Sequence, residues 1–578
     1  MRRVAYAARI KAQLADFTRR VASRDIVESR ALGYAALASL AVEDGSLAAG
    51  CLRRVLAAQV TDPRSPEKGS IPWNVGPSKA EDFNATEFAV QSWGPILLLY
   101  GDRLPPTVRA ELIAHARAAV TAVERHVVDL SYDNIALLRA MNLVLLGTAV
   151  GDMAARTQGL QALQRFLDWR DQYGIHEFAS PTCYGVDLDV LMVSYIALPR
   201  DGEVRGLLAR ALDHYWSDIA AQWDDRAGRL AGAHSRDYDF LQGHGGLDNY
   251  MYLEGRSAKP FGTGPGYILA YVGTGRGGYE AHQLDDDHLV PRRRAVIARY
   301  GEHKAQTRYT WFEPGISLGT ASFDYNYHDK LVNVAFDDPA SLSEITIQPE
   351  PVGTLPYGQG SRTTASGETH ASHAPLYPAI VQREGAALIL LDLNASGVSR
   401  GFETNIVLPV ASIAVDERAV ELAPGNNVAL TTTNVVTVQH QNAVVALRVF
   451  HADRCDGAMP SIALRAEPEG LQRGAVRLVV VNTAGQGGRR CEAVRVGLIL
   501  RVGSTSSIAQ LRADLHSADI EDLRMQASDG WKWRVTAAFA NHRFGADEDI
   551  DQHFVLRRTV DDRPLPDPVF AVEASGSQ

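Results

Sequence analysis

Residues 204–219 read VRGLLARALDHYWSDI, and the spacing of Val204, Leu207, Leu208, Ala211, Leu212, Tyr215 and Ile219 decides the character of the first half of the chain. Steps of three and four residues put these apolar side chains on one face of an α-helix, where a strand would need alternation. The same period recurs upstream. Val108, Leu112, Val120, Val123 and Val127 mark a helix over Thr107–Val127. Leu160, Leu163, Phe166 and Leu167 mark another, with Asp152, just after Gly151, as the expected N-cap. Helices of this size, joined by short turns such as GD and DG, are expected to pair as antiparallel hairpins. Repeated hairpins of this kind can close into a toroid around a central cleft, although no strict sequence repeat accompanies them.

Downstream the period changes near residue 305. Short β-branched runs follow one another at Lys330–Phe336, Ala386–Leu393, Asn427–Val438, Val476–Val481 and Val494–Val502. Val494-Arg495-Val496-Gly497-Leu498 alternates as a half-buried strand should. Many such runs with few helical stretches predict an antiparallel β-sandwich. The expected class is α+β multidomain: a helical half over residues 1–304, read as an (α/α) toroid from helix count together with the resemblance given below, a β-sandwich over 305–570, and a disordered tail over 571–578. The polar stretch GQGSRTTASGETHASHAP, Gly358–Pro375, is long for a structureless connection, and such loops are usually functional or mobile.

The composition of the 578 residues is ordinary and globular, with 46% hydrophobic and 22% charged residues, so the cores need no staple of disulfide or metal. A net charge of −10 disfavours nucleic acid as a partner but leaves room for an acidic sugar, which needs only one or two cations in a pocket. Cys51, Cys183, Cys455 and Cys491 lie too far apart for a CxxC-type zinc site and read as free thiols. The N-terminal MRRVAYAARIKAQLADFTRRV is interrupted by Arg9, Lys11 and Gln13, so it lacks the apolar core of a signal peptide. No run of about 18 apolar residues follows. A cytoplasmic protein with no membrane partner is the expectation, or a secreted one if a leader has been removed, and the oligomeric state is open.

Four stretches of the helical half are dense in polar and aromatic residues: 71–88 (IPWNVGPSKAEDFNATEF), 131–138 (SYDNIALL), 175–188 (IHEFASPTCYGVDL) and 228–250 (GRLAGAHSRDYDFLQGHGGLDNY). Each falls at a helix start or in a connection, and in a toroid such loops surround one cleft. Singly, their residues have plain structural readings. Asn134 is a good N-cap, His176 can satisfy a helix end, Tyr184 can be a packed ring, and Arg236 can pair with Asp237 or Asp239.

The order Asn134, His176, Tyr184, Arg236, at intervals of 42, 8 and 52 residues, resembles the helical-toroid polysaccharide lyases that act on hyaluronan, chondroitin and xanthan. Tyr184-Gly185 is similar to that family's Tyr-Gly, GRLAGAHSR ends in a similar Ser-Arg, and EFAVQSWGPILLLYGDRLPP (Glu87–Pro106) resembles an early family stretch. The likeness covers residues 70–250. It departs from the family in its compact length, an N-terminal stretch not expected to act as a leader, its shorter Asn134–His176 interval, and an absent Trp-Trp pair in place of which Trp73 and Trp93 stand apart. A more distant branch, resembling alginate and heparin lyases, adds a histidine from the β-domain, a part His370 or His373 would fill.

What the resemblance implies is β-elimination at a uronic acid, with an acidic polysaccharide or oligosaccharide as partner. Asn134, with His176, would hold the carboxylate and stabilise charge as the C5 proton leaves. Tyr184 would take that proton and return one to the C4 oxygen, with Arg236 lowering its pKa. His176 or His234 is the alternative base, and Tyr238 joins the catalytic candidates. Trp73, Asn74, Glu87, Trp93, Glu177, Asp237, His244, His370 and His373 are the expected substrate contacts. The chemistry requires no metal or organic cofactor. Three readings compete. One is a toroid glycoside hydrolase using two of Glu177, Asp187, Asp237, Asp239 and Asp248. The others are a small-metabolite dehydratase or isomerase, and a sugar-binding protein without turnover.

Overall fold

A computed structural model of the chain describes residues 2–574 except 77–78, 199–201, 239–242, 261–278, 285–292, 324, 339–343, 352–361, 364–368, 371–372, 375, 394–400, 410, 424, 455–457, 467–475 and 484–493. The first half is helical: α1 (Arg2–Ser23), α2 (Ser29–Ala41), α3 (Gly45–Ala58), α4 (Phe83–Val90), α5 (Trp93–Tyr100), α6 (Pro106–Arg125), α7 (Asp133–Val150), α8 (Met153–Tyr173), α9 (Pro181–Ala197), α10 (Gly202–Gln222) and α11 (Leu247–Leu253). The helices pair as α2–α3, α4/α5–α6, α7–α8 and α9–α10. The first members pack on one another in sequence, α2 on α4 and α5, these on α7, α7 on α9 and α9 on α11, while α1 touches both α11 and α2 and closes the circuit. This is the hairpin ring expected from the helix count together with the resemblance.

The outer helices are amphipathic as read. Val108, Leu112, Ala116, Ala119, Val120 and Val123 form the buried stripe of α6, whereas Val127 lies beyond the helix end and is 92% exposed. Asp152 caps α8, accepting from the Ala154 and Ala155 amides. The inner helix α7 is apolar on nearly every face. By length and composition it is apolar enough to cross a membrane, but it is wrapped by α4, α5, α6, α8 and α9 as a core helix.

Beyond Leu284 the described structure is mainly strand, beginning with Arg294–Arg299. A ten-stranded antiparallel sheet runs from Asn427–Leu430 at one edge to Phe570–Ala574 at the other, with Val476–Thr483, Phe402–Leu408 and Glu344–Pro351 in its middle. A seven-stranded sheet, including Ala386–Leu393, Val494–Ser504 and Ala443–Ala452, packs on it through Leu318, Val334, Phe402, Ile406, Ile389, Val445 and Leu498. The expected sandwich is present, and it carries a further layer. Five strands from Asp519–Ala527 to Arg563–Pro564, with α12 (Ile508–His516), cover the other face of the seven-stranded sheet through Trp533, Val535, Phe544, Leu388, Leu390 and Ile499. For that reason Val494–Ser504 is buried on both faces, against the half-buried expectation. Asn427–Val438 is likewise two strands in different sheets, Asn427–Leu430 and Val436–His440. Phe570–Ala574 pairs with Arg294–Arg299, so the segment expected as a tail begins as an edge strand; residues 575–578 lie outside the described region.

The helical half rests on the outer face of the ten-stranded sheet. Ala221 and Ala231 bury with Val296 and Phe312, and Arg294 Nη2 donates to the Ala221 carbonyl at 3.0 Å. Cys51 and Cys183 are buried free thiols; Cys455 and Cys491 fall outside the described residues.

Candidate active site

The loops ahead of α4, α7, α9 and α11 meet at one end of the helical ring, where a loop from the β half joins them. Glu177, in the turn before α9, is fully buried. Its Oε2 accepts from the Asn134 amide at 2.9 Å and its Oε1 from Arg236 Nη1 at 2.6 Å. The Glu177 amide donates to Asp133 Oδ2 at 2.7 Å, and the other Asp133 oxygen holds Arg170 at 2.6 Å. Arg236 therefore stands on a carboxylate that is itself locked to the start of α7. Its Nε donates to the Tyr238 hydroxyl at 2.6 Å, and its Cζ lies 5.3 Å from the Tyr132 ring and 5.6 Å from the Tyr238 ring. The guanidinium stays partly exposed, as do Tyr132 and Tyr238. Burial pushes both phenols up in pKa and Arg236 opposes it.

Asn134 lies in the first turn of α7 and is not its cap. Its Nδ2 has only Cys183 Sγ, at 3.8 Å, and its Oδ1 has no partner among the described residues. The remaining N–H of Nδ2, held through Glu177 in one cluster with a guanidinium and its phenol, can donate to a carboxylate, and the phenol can move a proton.

Tyr184 is elsewhere. Successive helical residues point about 100° apart, and where Cys183 faces this cluster, Tyr184 faces α10. Its hydroxyl donates to Asp218 Oδ2 at 2.5 Å and accepts from the Ala179 amide at 2.8 Å; the ring is fully buried, edge-on to Tyr215. Burial, reinforced by Asp218, drives its pKa well up, and the cation opposing this is Arg308 rather than Arg236. The expectation that Tyr184 is the base beside Arg236 fails on that geometry.

His176 lies behind Tyr325, ring to ring at 4.5 Å. Its Nε2 is 3.1 Å from Gln306 Nε2, and its Nδ1 is buried. Burial, with Arg170 adding, lowers its pKa to about 4, so the ring is neutral at pH 7 with both nitrogens covered. His234 and Asp237 are buried partners at 2.8 Å, and Lys330 Nζ holds Asp237 at 2.7 Å and Glu344 at 3.1 Å. These residues join the two halves and are buried. Trp93 is fully inside the helical core, which removes it as a sugar platform, whereas Trp73 is half-buried and donates to Asp82 at 2.8 Å. Asn74 bridges by backbone to Glu28. The buried Glu87 carboxylate is occupied by His126 at 3.2 Å and Asn142 at 2.9 Å. His244 pairs with Asp248 at 3.1 Å. His373 is buried with Nδ1 on the Ala374 carbonyl at 2.7 Å. His370 is a strand residue opposite Arg362 whose side chain, like Asp239, falls outside the described set.

Sequence reasoning missed Tyr132, Tyr325 and Asp329. Tyr325 comes from the β half, and burial with Glu177 raises its phenol while Arg236 opposes, which marks it as a neighbour of the same charges. Asp329 Oδ1 accepts from the Arg236 amide at 2.9 Å. The signal was the dense FDYNYHDK of residues 323–330, in a region otherwise read only for strands.

A family model described as a domain of unknown function (DUF8769) matches residues 58–244, which contain α4–α10, Asn134, His176, Tyr184 and Arg236. No curated protein matches the sequence. Among solved structures, the chain is similar to a Streptomyces coelicolor A3 chondroitin AC lyase in complex with chondroitin sulphate, at 11% identity, covering 94% of this chain and 85% of that one, with a TM-score of 0.48. It is also similar to a chondroitinase AC lyase (9% identity, 91% and 87% covered, TM-score 0.41) and to a heparan sulfate lyase from Pedobacter heparinus (10% identity, 90% and 82% covered, TM-score 0.31). Likenesses this remote leave the chemistry to be argued from the residues.

Proposed function

We propose that this protein is a polysaccharide or oligosaccharide lyase that cleaves uronic-acid glycosides by β-elimination, with Arg236, Tyr238 and Asn134 at its centre. One observation carries the reading: an Asn134 side-chain amide whose Nδ2 is engaged, among the described residues, only by Cys183 Sγ, tied through Glu177 to an arginine that is hydrogen-bonded to a partly exposed phenol. The Asn134 amide holds the substrate carboxylate, so that negative charge developing as the C5–H bond breaks meets a donor already in place. Tyr238, as phenolate, takes the C5 proton. The electron pair becomes the C4=C5 double bond, the C4–O bond breaks, and the phenol returns its proton to the leaving oxygen. Arg236 favours the phenolate against the burial that opposes it.

The hydrolase reading has less support. Glu177 and Asp237 are buried and bound to Arg236 and Lys330, Asp248 to His244 and the Gly245 amide, and Asp187 lies fully buried near Glu177 and Asp133. A two-carboxylate mechanism needs one acid and one ionised partner facing the sugar from either side.

The test is ultraviolet absorbance of the conjugated product over a panel of acidic polysaccharides and oligosaccharides. Product absorbing as an unsaturated uronate, with turnover lost in Asn134→Ala, is expected; removing a donor to a developing anion costs about 10²–10³-fold in turnover. A saturated reducing end, or no product from any uronate, rejects the reading.

A further inference from the structure

Arg236 has φ +47°, a left-handed backbone that a side chain bearing a Cβ adopts only at a cost. Something must hold it there. Residues 234–238 lie against the β-half segment 328–330 in a short antiparallel pairing. The His234 amide donates to the Lys330 carbonyl at 3.1 Å, the Lys330 amide to the His234 carbonyl at 2.8 Å, and the Asp237 amide to the His328 carbonyl at 3.0 Å. The Arg236 amide breaks this backbone pattern and donates to a side chain, Asp329 Oδ1, at 2.9 Å. The other oxygen, Asp329 Oδ2, accepts from the Tyr325 amide at 2.8 Å and the Asn326 amide at 2.9 Å. Asp329 is 2% exposed. One buried carboxylate thus gathers the amide of the site arginine and the turn that carries Tyr325, which faces the same charges. On the helical side, Ser180 Oγ, the α9 cap, donates to the Arg236 carbonyl at 3.2 Å, and the Ser235 amide donates to the Phe178 carbonyl at 2.9 Å.

We infer that Asp329 is a positioning residue for the reaction, through which the β half sets the backbone of Arg236 and hence the aim of its guanidinium at Tyr238. The inference rests on the lyase reading for its kinetic consequence, but its structural part stands without it. A local twist of this kind re-aims a side chain, as bulges beside active sites do. With Ser235 and Asp237 both buried, Arg236 alone of the three turns toward the partly exposed cluster. A misplacement of about 1 Å at a catalytic group is enough to cost roughly 10²-fold in rate.

The test uses Asp329→Asn, which keeps size but replaces one acceptor oxygen with a donor, and Asp329→Glu, which keeps the charge and lengthens the arm. Two readouts are combined. Amide hydrogen exchange of the peptide spanning Arg236, followed by mass spectrometry on the full chain, is expected to speed up in Asp329→Asn at unchanged exchange of α7. Unchanged protection at Arg236 overturns the inference whatever the enzyme does. In turnover, Asp329→Asn is expected to fall about 10²-fold with its rise toward alkaline pH displaced upward, because a loosened Arg236 no longer favours the phenolate. Combined with Arg236→Lys it should add little further loss, whereas a merely structural Asp329 would cost the same factor in both backgrounds. Should Asp329→Asn not fold, Asp329→Glu carries the same comparison. Wild-type protein inactive on every uronate sinks the lyase reading, while the exchange result still decides the role of Asp329.

Discussion

Removing the Tyr184 hydroxyl strands two buried groups at once, the Asp218 oxygen that accepts from it and the Ala179 amide that donates to it. Tyr184→Phe is therefore expected to lower stability by about 1–3 kcal/mol, the cost of leaving buried polar groups unpaired, with turnover per folded molecule retained. Tyr238→Phe should do the reverse, leaving thermal unfolding nearly unchanged while turnover falls roughly 10²-fold or more. Running both variants through one melt and one assay discriminates them, and equal loss of turnover in the two would reject the assignment to Tyr238. The raised phenol of Tyr238 also sets a pH dependence. Its reactive, deprotonated form is scarce at neutral pH, so the rate should climb about tenfold per pH unit on the alkaline side until the protein fails. A rate that is flat above pH 7 speaks against a phenolate base. Asn134 and Arg236 were singled out by their order and spacing along the chain, and the structure ties both to the Glu177 carboxylate. The misplacement of the base has a simple cause. Tyr184-Gly185 looks like a chemical signature, yet a Cβ on Gly185 would lie 2.5 Å from the Gly246 carbonyl carbon, so the glycine lets α11 approach α9 while the tyrosine faces inward. Spacing along the chain does not tell which side of a helix meets the cleft.

At the level of elements, local chemistry proved the surest guide. Asp152 accepts from two first-turn amides of α8, at 3.1 and 3.0 Å, and Asp152→Ala should cost about 1 kcal/mol, read as a shift in urea midpoint without a change in slope. No loss of stability would mean that packing against α7 alone sustains that end of α8. The run Asn427–Val438 shows local chemistry overlooked. Thr431 and Asn434 form a side-chain-bonded turn, with Asn434 Oδ1 accepting from the Thr431 amide at 2.8 Å, and the chain changes sheets there. Asn and Thr signal turns through this kind of bond, so the break was written in TTTN but masked by the β-branched residues on either side. Val494–Leu498 misled for a different reason. Alternation reports one covered face, and the second cover comes from residues 519–564, a contact that no local pattern encodes.

The whole molecule is a stack of four layers, helices on a ten-stranded sheet, then seven strands, then five, and charged groups between the last two predict a stability that depends on pH. His451, on the seven-stranded sheet, lies 2.6 Å from Asp522 of the outer sheet and 3.1 Å from Asp453; Arg495 holds Asp453 at 2.7 Å, and the His451 ring is 5.3 Å from that of Trp533. Burial works against its charge, but the two carboxylates prevail and raise its pKa to about 9. A histidine whose folded pKa exceeds the unfolded value of about 6.5 contributes stability that is complete below that value and disappears as pH climbs through the folded one. The stability difference between wild type and His451→Gln should therefore be largest near pH 6, on the order of 2 kcal/mol, and should shrink between about pH 6.5 and 9. The carboxylate side has the opposite sign. Asp453 is held down at about 2 by His451 and Arg495, so its contribution is complete above about pH 4 and fades only as pH falls toward 2. Urea unfolding of both proteins from pH 5 to 10, with tryptophan emission as the signal, measures the difference directly. A gap that stays constant across that range would show that His451 contributes through packing against Trp533 rather than through its charge.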